Sequence, residues 1–267
     1  MNNPSNYTTT REVKVLDHGF VRLRNLAGPT RRAEVIDYEL SGPTVEPEFD
    51  ADDTDPANAA RMSFDATDRE YIIDRSGNRR LRTRADDLKL ADYLMRNKHT
   101  SPFEMVQVWL EMKMPIFVAR QFVRHRTARL NEVSGRYVTL PEEWYIPEVV
   151  GGKAPNAKQG QADNLPTNLQ AAFQVDLNEQ CRKSYQLYLH YIGMGVAPEH
   201  ARMFLHLNHY THWLWNQDLH NLMHLLMLRD HDHAQVEARQ YAKAIDKLLR
   251  QHLPCTMELY DKYRRLP

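Results

Sequence analysis

The chain has little of what would place it outside the cell or in a membrane. Its 267 residues include only two cysteines, Cys181 and Cys255, too few for a disulfide framework or a four-cysteine zinc site. No stretch approaches the roughly 18 consecutive apolar residues that a membrane span needs. The first residues also lack the basic region and apolar run of a secretory signal. These absences predict a cytoplasmic protein with no membrane partner.

An excess of either charge is also lacking. The 35 lysines and arginines balance 35 aspartates and glutamates. Proteins that coat nucleic acid owe their affinity to an excess of positive charge, so this balance predicts no nucleic-acid partner. A binding module that uses the arginines of 75–84 and 120–136 stays open as an alternative. The apolar fraction of 42% is sufficient for a folded core.

We expect one domain over 1–267, with three weakly structured parts. Residues 1–11 are polar and predict a frayed tail. Residues 42–56 contain six acidic residues and three prolines, which predicts an exposed loop. Residues 151–166 are rich in Gly, Pro, Asn and Gln, and they predict a second exposed loop. The basic segment 75–84 is expected to be exposed too, or to neutralise 42–56 or a neighbouring subunit.

Apolar periodicity predicts strands early and helices late, which indicates an α/β fold. Alternation around Val13 and Val21, and at the even positions from Val106 to Met114, predicts three strands. Spacings of three and four residues predict helices. The predicted helices cover 86–97, 116–124, a stretch that begins near 169 and ends before Gly193, 198–224 with a break near Asn216, and 233–252 ended by Pro254.

The chemistry is concentrated in residues 120–137. Five arginines share this segment with a single acidic residue, Glu132. Cations at this density repel one another unless anions neutralise them, and the arginine fork matches phosphate in geometry. The pattern therefore favours an anion site over its alternative, a solvated basic helix face.

The same segment carries a resemblance to a known family. Arg124-His125-Arg126, followed after seven residues by Ser134, resembles the signature of flavin-dependent thymidylate synthases. Three further blocks, at 59–64, 99–104 and 228–235, are similar to that family and occur in its order. The resemblance implies a mixed, largely antiparallel sheet flanked by helices, in a homotetramer whose active sites are shared between subunits. It also implies reductive methylation of dUMP to dTMP, with carbon from methylenetetrahydrofolate and hydride from NADPH through bound FAD.

The resemblance implies roles for individual residues. Arg229, Ser134 and His99 would be catalytic: Arg229 would stabilise ionisation at N3 of the uracil, and Ser134 would position dUMP rather than attack it. The flavin would be bound by Ser101, Glu104, Arg124, His125, Arg126, Glu132, Asp218, His220 and His224. The nucleotide dUMP would be bound by Gln121, Arg124, Glu132, Ser134, Gly135, Arg136, Arg202 and Arg229.

The chain departs from the family pattern at four positions. Arg129 stands where a small residue is usual, Asp218 and His224 where asparagine is usual, and Met105 where histidine is usual. We predict that Arg129 adds a contact to a phosphate or to a folate glutamate. A relative that hydroxymethylates a pyrimidine nucleotide stays open as an alternative function.

Two other chemistries are less well supported by the pattern. His206, His209 and His212 would be spread around a predicted helix rather than along one face, and His220 with His224 is a two-histidine spacing without the motif of a zinc or di-iron site. The sequence therefore predicts no metal. Cys255 follows Pro254, as in cysteine-dependent thymidylate synthases, but nothing else resembles that class, and we expect Cys255 not to be catalytic.

Overall fold

A five-stranded antiparallel sheet forms the centre of the fold. The computed structural model describes residues 11–29, 51–64, 71–73, 76–153 and 161–265. In chain order, the sheet strands are β1 (Glu12–Val15), β2 (Gly19–Ala27), β5 (Gln107–Pro115), β6 (Arg129–Glu132) and β9 (Tyr210–Asp218). Their spatial order is β1-β2-β5-β9-β6, and every neighbouring pair is antiparallel.

Nine α-helices, two short 3-10 helices (Met62–Phe64 and Arg202–Phe204) and two short hairpins complete the described part of the chain. The helices are α1 (Asp55–Arg61), α2 (Arg84–Arg96), α3 (Ser101–Glu104), α4 (Ile116–Phe122), α5 (Thr167–Gly193), α6 (Pro198–Ala201), α7 (Leu219–Arg229), α8 (Val236–His252) and α9 (Pro254–Tyr263). The hairpins pair β3 (Tyr71–Ile73) with β4 (Arg79–Leu81), and β7 (Gly151–Lys153) with β8 (Gln161–Asn164). The predicted α/β fold, with a largely antiparallel sheet flanked by helices, is confirmed. No helix in these described ranges is long and apolar enough to cross a bilayer.

Strand β5 shows why one face of the sheet forms the core. Its alternate residues Val108, Leu110 and Met112 are fully buried, whereas Trp109 and Glu111 are on the opposite face. Successive side chains of a strand point to opposite faces, so helices α7 and α8 cover only the apolar one. The other face of the sheet remains partly exposed.

Gly19 fixes how α8 packs on this sheet. A Cβ at Gly19 would lie 2.0 Å from the hydroxyl of Tyr241 and 2.8 Å from the carbonyl of Lys113. With no side chain there, the Tyr241 hydroxyl donates a hydrogen bond to the Lys113 carbonyl at 2.7 Å. This bond joins α8 to the C-terminal end of β5. Helix α4 and the segment 120–137, which carries many of the predicted site residues, follow directly after that end.

The predicted helix over 198–224 is correct at its ends, where α6 and α7 lie, but wrong in its middle, and the expected order of strands early and helices late fails there too. Strand β9 fills 210–218 between β5 and β6. Trp213, Trp215 and Gln217 are buried and alternate with more exposed residues, which is the period of a strand and not of a helix. His206, His209 and His212 therefore do not lie on one helix.

Both loop predictions need correction. Residues 42–50 lie outside the described residues, but 51–56 are not an exposed loop: Ala51, Asp53 and Asp55 are buried and α1 begins at Asp55. Within 151–166, β7 and β8 form a hairpin, and 154–160 lie outside the described residues. Pro254 ends α8 as predicted but also begins α9. The tail prediction falls almost wholly on residues 1–10, which are not described.

Asp53 explains the first of these corrections. Its carboxylate accepts hydrogen bonds from the backbone N–H groups of Cys255 and Thr256, at 3.2 and 2.7 Å, where α9 begins. A carboxylate at a helix N-terminus satisfies donors that have no partner within the helix. Arg84 forms ion pairs with Asp52 and Asp53 at 3.1 and 3.5 Å. The expectation that the acidic and basic segments neutralise each other is therefore confirmed at these residues.

Candidate active site

Helix α7 and the residue that caps it carry four of the predicted site residues. Asp218 caps its N-terminus by accepting a hydrogen bond from the backbone N–H of Asn221 at 2.9 Å. His220 and His224 follow one helical turn apart, and Arg229 is the last residue of the helix. The apolar residues of α7 are buried in the core, namely Leu219, Leu222, Met223, Leu225 and Leu226. The core packing of α7 thus sets the position of all four polar side chains.

Arg229 is held by the segment that follows α4. Its Nη2 donates to the backbone carbonyl of Gln121 at 3.0 Å, and its Nε donates to Nε2 of His125 at 3.3 Å. The His125 ring lies 6.5 Å from the ring of His224. The structure therefore brings together four predicted site residues from distant parts of the chain, Gln121, His125, His224 and Arg229. We call them the Arg229 cluster.

The electrostatics of the Arg229 cluster follow from its cations. Burial, then the charge of Arg229, then His224 lower the pKa of His125 to about 4, so its ring is neutral at pH 7 and accepts the bond from Arg229. Burial also lowers the pKa of Arg229. Guanidinium groups stay charged in proteins, so the cluster presents a fixed cation without a carboxylate partner in the described part of the chain.

Arg124 and Arg126 flank His125 in the turn after α4. Both side chains are exposed, and neither forms an ion pair within the described residues. Unpaired arginines on a turn fit the prediction of an anion site better than a folding role, because an unpaired surface charge contributes little to stability.

Ser134, Gly135, Arg136 and Arg202 form a second group, the Ser134 cluster. The Ser134 hydroxyl accepts a hydrogen bond from the backbone N–H of Arg136 at 3.3 Å, and Arg136 pairs with Glu199 at 3.2 Å. A Cβ at Gly135 would lie 3.3 Å from Cδ of Arg202 and 3.1 Å from Cδ1 of Leu140. Gly135 thus allows Arg202 to pack against the signature turn.

Glu132 is oriented by the sheet. It ends β6 opposite Trp213 of β9, and its carboxylate accepts a hydrogen bond from the hydroxyl of Thr211. Within the described ranges, no hydrogen bond, ion pair or ring contact joins Glu132 or the Ser134 cluster to the Arg229 cluster. One chain therefore holds the predicted nucleotide residues as two separate sets.

A third region joins two of the predicted blocks. A cleft of about 670 Å³ is lined by residues 58–64 and by His99, Ser101 and Met105. The His99 ring stacks on Tyr93 at 6.0 Å. Met62, Phe64 and Met105 are more than half exposed, so the apolar wall of the cleft is open to solvent. Exposed apolar clusters of this kind mark ligand or interaction sites. Glu104 is exposed and does not line the cleft.

The structure gives no support to the two other chemistries. His206 bonds to Ser184 at 2.7 Å, and His212 bonds to Glu111 at 2.9 Å. In the part of the chain that is described, no group of three or more His, Cys, Asp or Glu residues is placed to hold a metal ion. Burial and the Asp53 carboxylate raise the pKa of Cys255, which works against a thiolate nucleophile.

Arg129 lies apart from both clusters. Its Nη1 donates to Oδ1 of Asn216 at 3.3 Å, on the face of the sheet away from the core. It lines a separate cleft of about 570 Å³ together with Trp109 and Leu214. The predicted contact of Arg129 with a phosphate or a folate glutamate stays a prediction.

Sequence reasoning missed three residues that contact the predicted ones. Gln235 accepts a hydrogen bond from the side chain of Gln121, Tyr93 stacks on His99, and Arg264 contacts His220. Gln235 is part of the block at 228–235, so that motif could have indicated it. Arg264 gave no signal, because its basic neighbours resemble a solvated chain end.

The antiparallel sheet flanked by helices defines the chain as an α/β protein. Its arginines without carboxylate partners among the described residues fit the predicted anion site. Its sequence matches the family model described as "Thymidylate synthase complementing protein" over residues 47–255. A flavin-dependent thymidylate synthase of Thermus thermophilus is 39% identical over 251 residues, covering 94% of this chain and 78% of that protein. The enzyme of Treponema denticola is 36% identical, covering 96% of this chain and 84% of that protein. The enzyme of Ehrlichia ruminantium (strain Gardel) is 38% identical, covering 95% of this chain and 74% of that protein.

A solved structure shares the fold. The UMP/dUMP methylase PolB from Streptomyces cacaoi, bound with 5-Br dUMP, is similar with a TM-score of 0.72 and 23% identity, covering 96% of this chain and 100% of that one. The chain belongs to the flavin-dependent thymidylate synthase family. The family and enzyme class implied by its motifs are confirmed.

Proposed function

We propose that the protein reductively methylates dUMP to dTMP, with methylenetetrahydrofolate as carbon donor and NADPH as reductant, through bound FAD. The observation that carries the proposal is the Arg229 cluster, in which residues of the segment 120–137, of α7 and of the block at 228–235 meet around one fixed cation. The names of the relatives support a flavin and the product thymidylate. The nucleotide bound to the similar methylase supports a uracil nucleotide as substrate.

The residues fit a flavin dinucleotide. Arg124 and Arg126 have no carboxylate partner in the described chain, and arginine forks suit a diphosphate. Met62, Phe64 and Met105 give the cleft of about 670 Å³ an apolar wall that suits an aromatic ring system. His99 and Ser101 line the cleft, and Asp218, His220 and His224 lie along α7. When bound, FAD supplies the transfer of hydride and of the one-carbon unit.

The chain's own residues supply binding and electrostatic stabilisation. The Arg229 guanidinium is held by the Gln121 carbonyl and neutral His125, and in this proposal it stabilises negative charge at N3 and O2 of the uracil. Because the cation is already fixed in position, no free energy is needed to reorganise it when that charge develops. The Ser134 cluster supplies Arg136 and Arg202 for the nucleotide phosphate, and the Ser134 hydroxyl for positioning. Glu132, held by Thr211, completes this set.

We propose further that the active enzyme is a homotetramer. The Arg229 cluster and the Ser134 cluster do not touch within one described chain, and both carry residues assigned to dUMP. A second copy that brings its Ser134 cluster to the Arg229 cluster of the first would complete the site. Most soluble oligomers are homo-oligomers with closed symmetry, and a tetramer of this kind is what the family resemblance implies.

An absorption experiment tests this function. The purified protein is followed in the visible range during addition of FAD, then NADPH, with and without dUMP. We expect flavin absorbance that NADPH bleaches, faster with dUMP present, and a product with the mass of dTMP after methylenetetrahydrofolate is added. A hydroxymethylated product would favour the altered-chemistry alternative. Absence of flavin binding, or bleaching indifferent to dUMP, would contradict the proposal.

A further inference from the structure

We propose that a cavity beside the predicted flavin side binds the anionic, ring-bearing end of a co-substrate. The cavity has a volume of about 360 Å³ and lies where the end of α2, the start of α3, α7 and the end of α9 meet. Phe103 and Met227 contribute apolar surface to its wall. Lys98, His99, His220 and Arg264 contribute nitrogen donors and acceptors.

Arg264 is the main reason to expect an anion. Its Nη1 lies 2.9 Å from Nδ1 of His220, and among the described residues no carboxylate forms an ion pair with it. The neighbouring basic residues do have such partners. Lys262 pairs with Asp92 at 3.1 Å, and Arg265 pairs with Asp230 and with Asp261. The carboxylates of Asp92, Asp230 and Asp261 are thus engaged elsewhere, and the half-buried Arg264 has no ion-pair partner among the described residues.

The contact between Arg264 and His220 determines which group donates the hydrogen bond and whether the imidazole is charged. A guanidinium has donors only, so Nδ1 of His220 accepts the bond and the imidazole is neutral. Burial, followed by the charge of Arg264, lowers the pKa of His220, in agreement with that geometry. His220 therefore orients Arg264 without cancelling its charge.

Lys98 adds a second cation to the rim. It follows α2 with a backbone φ of +59°, the left-handed region that ends helices. Its side chain is exposed and has no ion-pair partner in the described ranges. Two cations with no counter-charge around one cavity repel each other, and an anion would relieve that repulsion.

The residues that line the cavity indicate which kind of anion it would bind. An apolar surface beside two cations suits a ring that carries carboxylates or phosphates, and this ligand class rests on the proposed function. Two co-substrates of that reaction offer such a group: the p-aminobenzoyl-glutamate end of the folate and the phosphorylated adenosine end of NADPH. Because His99 borders both this cavity and the larger cleft, a co-substrate in the cavity would lie next to the flavin side.

Calorimetric titration of the FAD-loaded protein tests the cavity directly. The probes are p-aminobenzoyl-triglutamate and 2′,5′-ADP, and the variants are Arg264→Gln and Lys98→Gln. The control is Lys262→Gln, which removes a cation two residues before Arg264 that does not line the cavity. We expect one probe to bind about tenfold more weakly to both variants, the usual effect of losing one charged hydrogen bond, and with wild-type affinity to the control. The probe that responds identifies the co-substrate.

Three results would overturn this proposal: wild-type protein that binds neither probe, variants that bind both probes like wild type, or variants that change only the dissociation constant of FAD. Lys98 is exposed, so Lys98→Gln keeps the test valid even if Arg264→Gln unfolds. Probe binding needs no turnover. A protein that binds a probe but makes no dTMP would refute the proposed function and leave the anion cavity standing.

Discussion

At the scale of single residues, the decisive feature is how Arg229 is held. Two of its donors are occupied by neutral groups, the Gln121 carbonyl and the His125 ring. A guanidinium has five N–H donors, so others remain for a ligand. Because neither partner carries a charge at pH 7, the positive charge of Arg229 stays available to the substrate.

We therefore expect Arg229→Ala to lower kcat at saturating dUMP by about 100-fold or more, the usual effect of removing one preorganised stabilising group. Arg239→Ala is the control, because Arg239 pairs with the exposed Asp232 outside the cluster. Turnover is measured as dTMP formed at saturating co-substrates. An Arg229→Ala enzyme with wild-type kcat would show that the cation does not act in the chemical step.

Gly135 offers a test of the Ser134 cluster. The Cβ of Gly135→Ala would lie 3.1 Å from Leu140 and 3.3 Å from Arg202, so both side chains must shift. We expect a several-fold higher KM for dUMP and an unchanged flavin content. Gly193→Ala is the matched control, because nothing lies within 4 Å of a Cβ there. If the two variants had the same KM, Arg202 would not depend on Gly135.

At the scale of elements, α7 couples folding to the site through Asp218. Its carboxylate accepts the hydrogen bond from Asn221 that caps the helix. We expect Asp218→Ala to reduce the free energy of unfolding by about 1 kcal/mol through loss of the cap, and to weaken FAD binding. Asp218→Asn keeps a capping acceptor, so its stability should remain near that of wild type. Urea denaturation with flavin titration measures both, and equal losses in the two variants would contradict a capping role.

The same scale shows what the sequence could predict. Strand β5 was predicted correctly because its apolar side chains alternate without a break, and α8 because its apolar face repeats every three and four residues. Strand β9 was missed, because the exposed apolar Leu214 and the buried polar Gln217 mask the alternation, and because its pairing with β5 and β6 comes from residues distant in the chain. Sheet context overrides local pattern in such segments.

The candidate site, like the fold, was predicted only in part from the sequence. Motifs placed Gln121, His125 and Arg229 in one site, and the structure brings them into contact. The contact of Arg264 with His220 joins residues 44 positions apart through the packing of α9, which no local pattern encodes. The burial of Asp53 likewise depends on the start of α9, so composition alone indicated a loop.

At the scale of the whole molecule, one sheet face stays uncovered. Leu214 is 46% exposed there, beside Trp109 and the cleft that Arg129 lines. The same chain holds its nucleotide residues in two sets that do not touch. An open apolar surface and an incomplete site have one explanation in common, a further copy of the chain, as proposed above.

The burial of His209 in the folded chain makes the stability of the whole molecule depend on pH. This residue is 2% exposed, and its Nε2 has no hydrogen-bond partner among the described residues. Burial is the largest influence on its pKa, opposed by Glu143 and reinforced by Lys113, and the pKa falls to about 4. Between that value and the ordinary pKa of about 6.5, the unfolded chain binds a proton that the folded chain does not.

Stability therefore decreases as the pH falls below about 6.5, and between pH 7 and pH 5 His209 should account for about 2 kcal/mol of the loss. His209→Gln has no such proton to bind, so its unfolding free energy should fall about that much less over the same range. The exposed His200 provides the control as His200→Gln, which should follow the wild-type curve. Urea denaturation at pH 7 and pH 5, at fixed protein and FAD concentrations, measures all three. Parallel curves for wild type and His209→Gln would mean that His209 is not kept neutral by the fold.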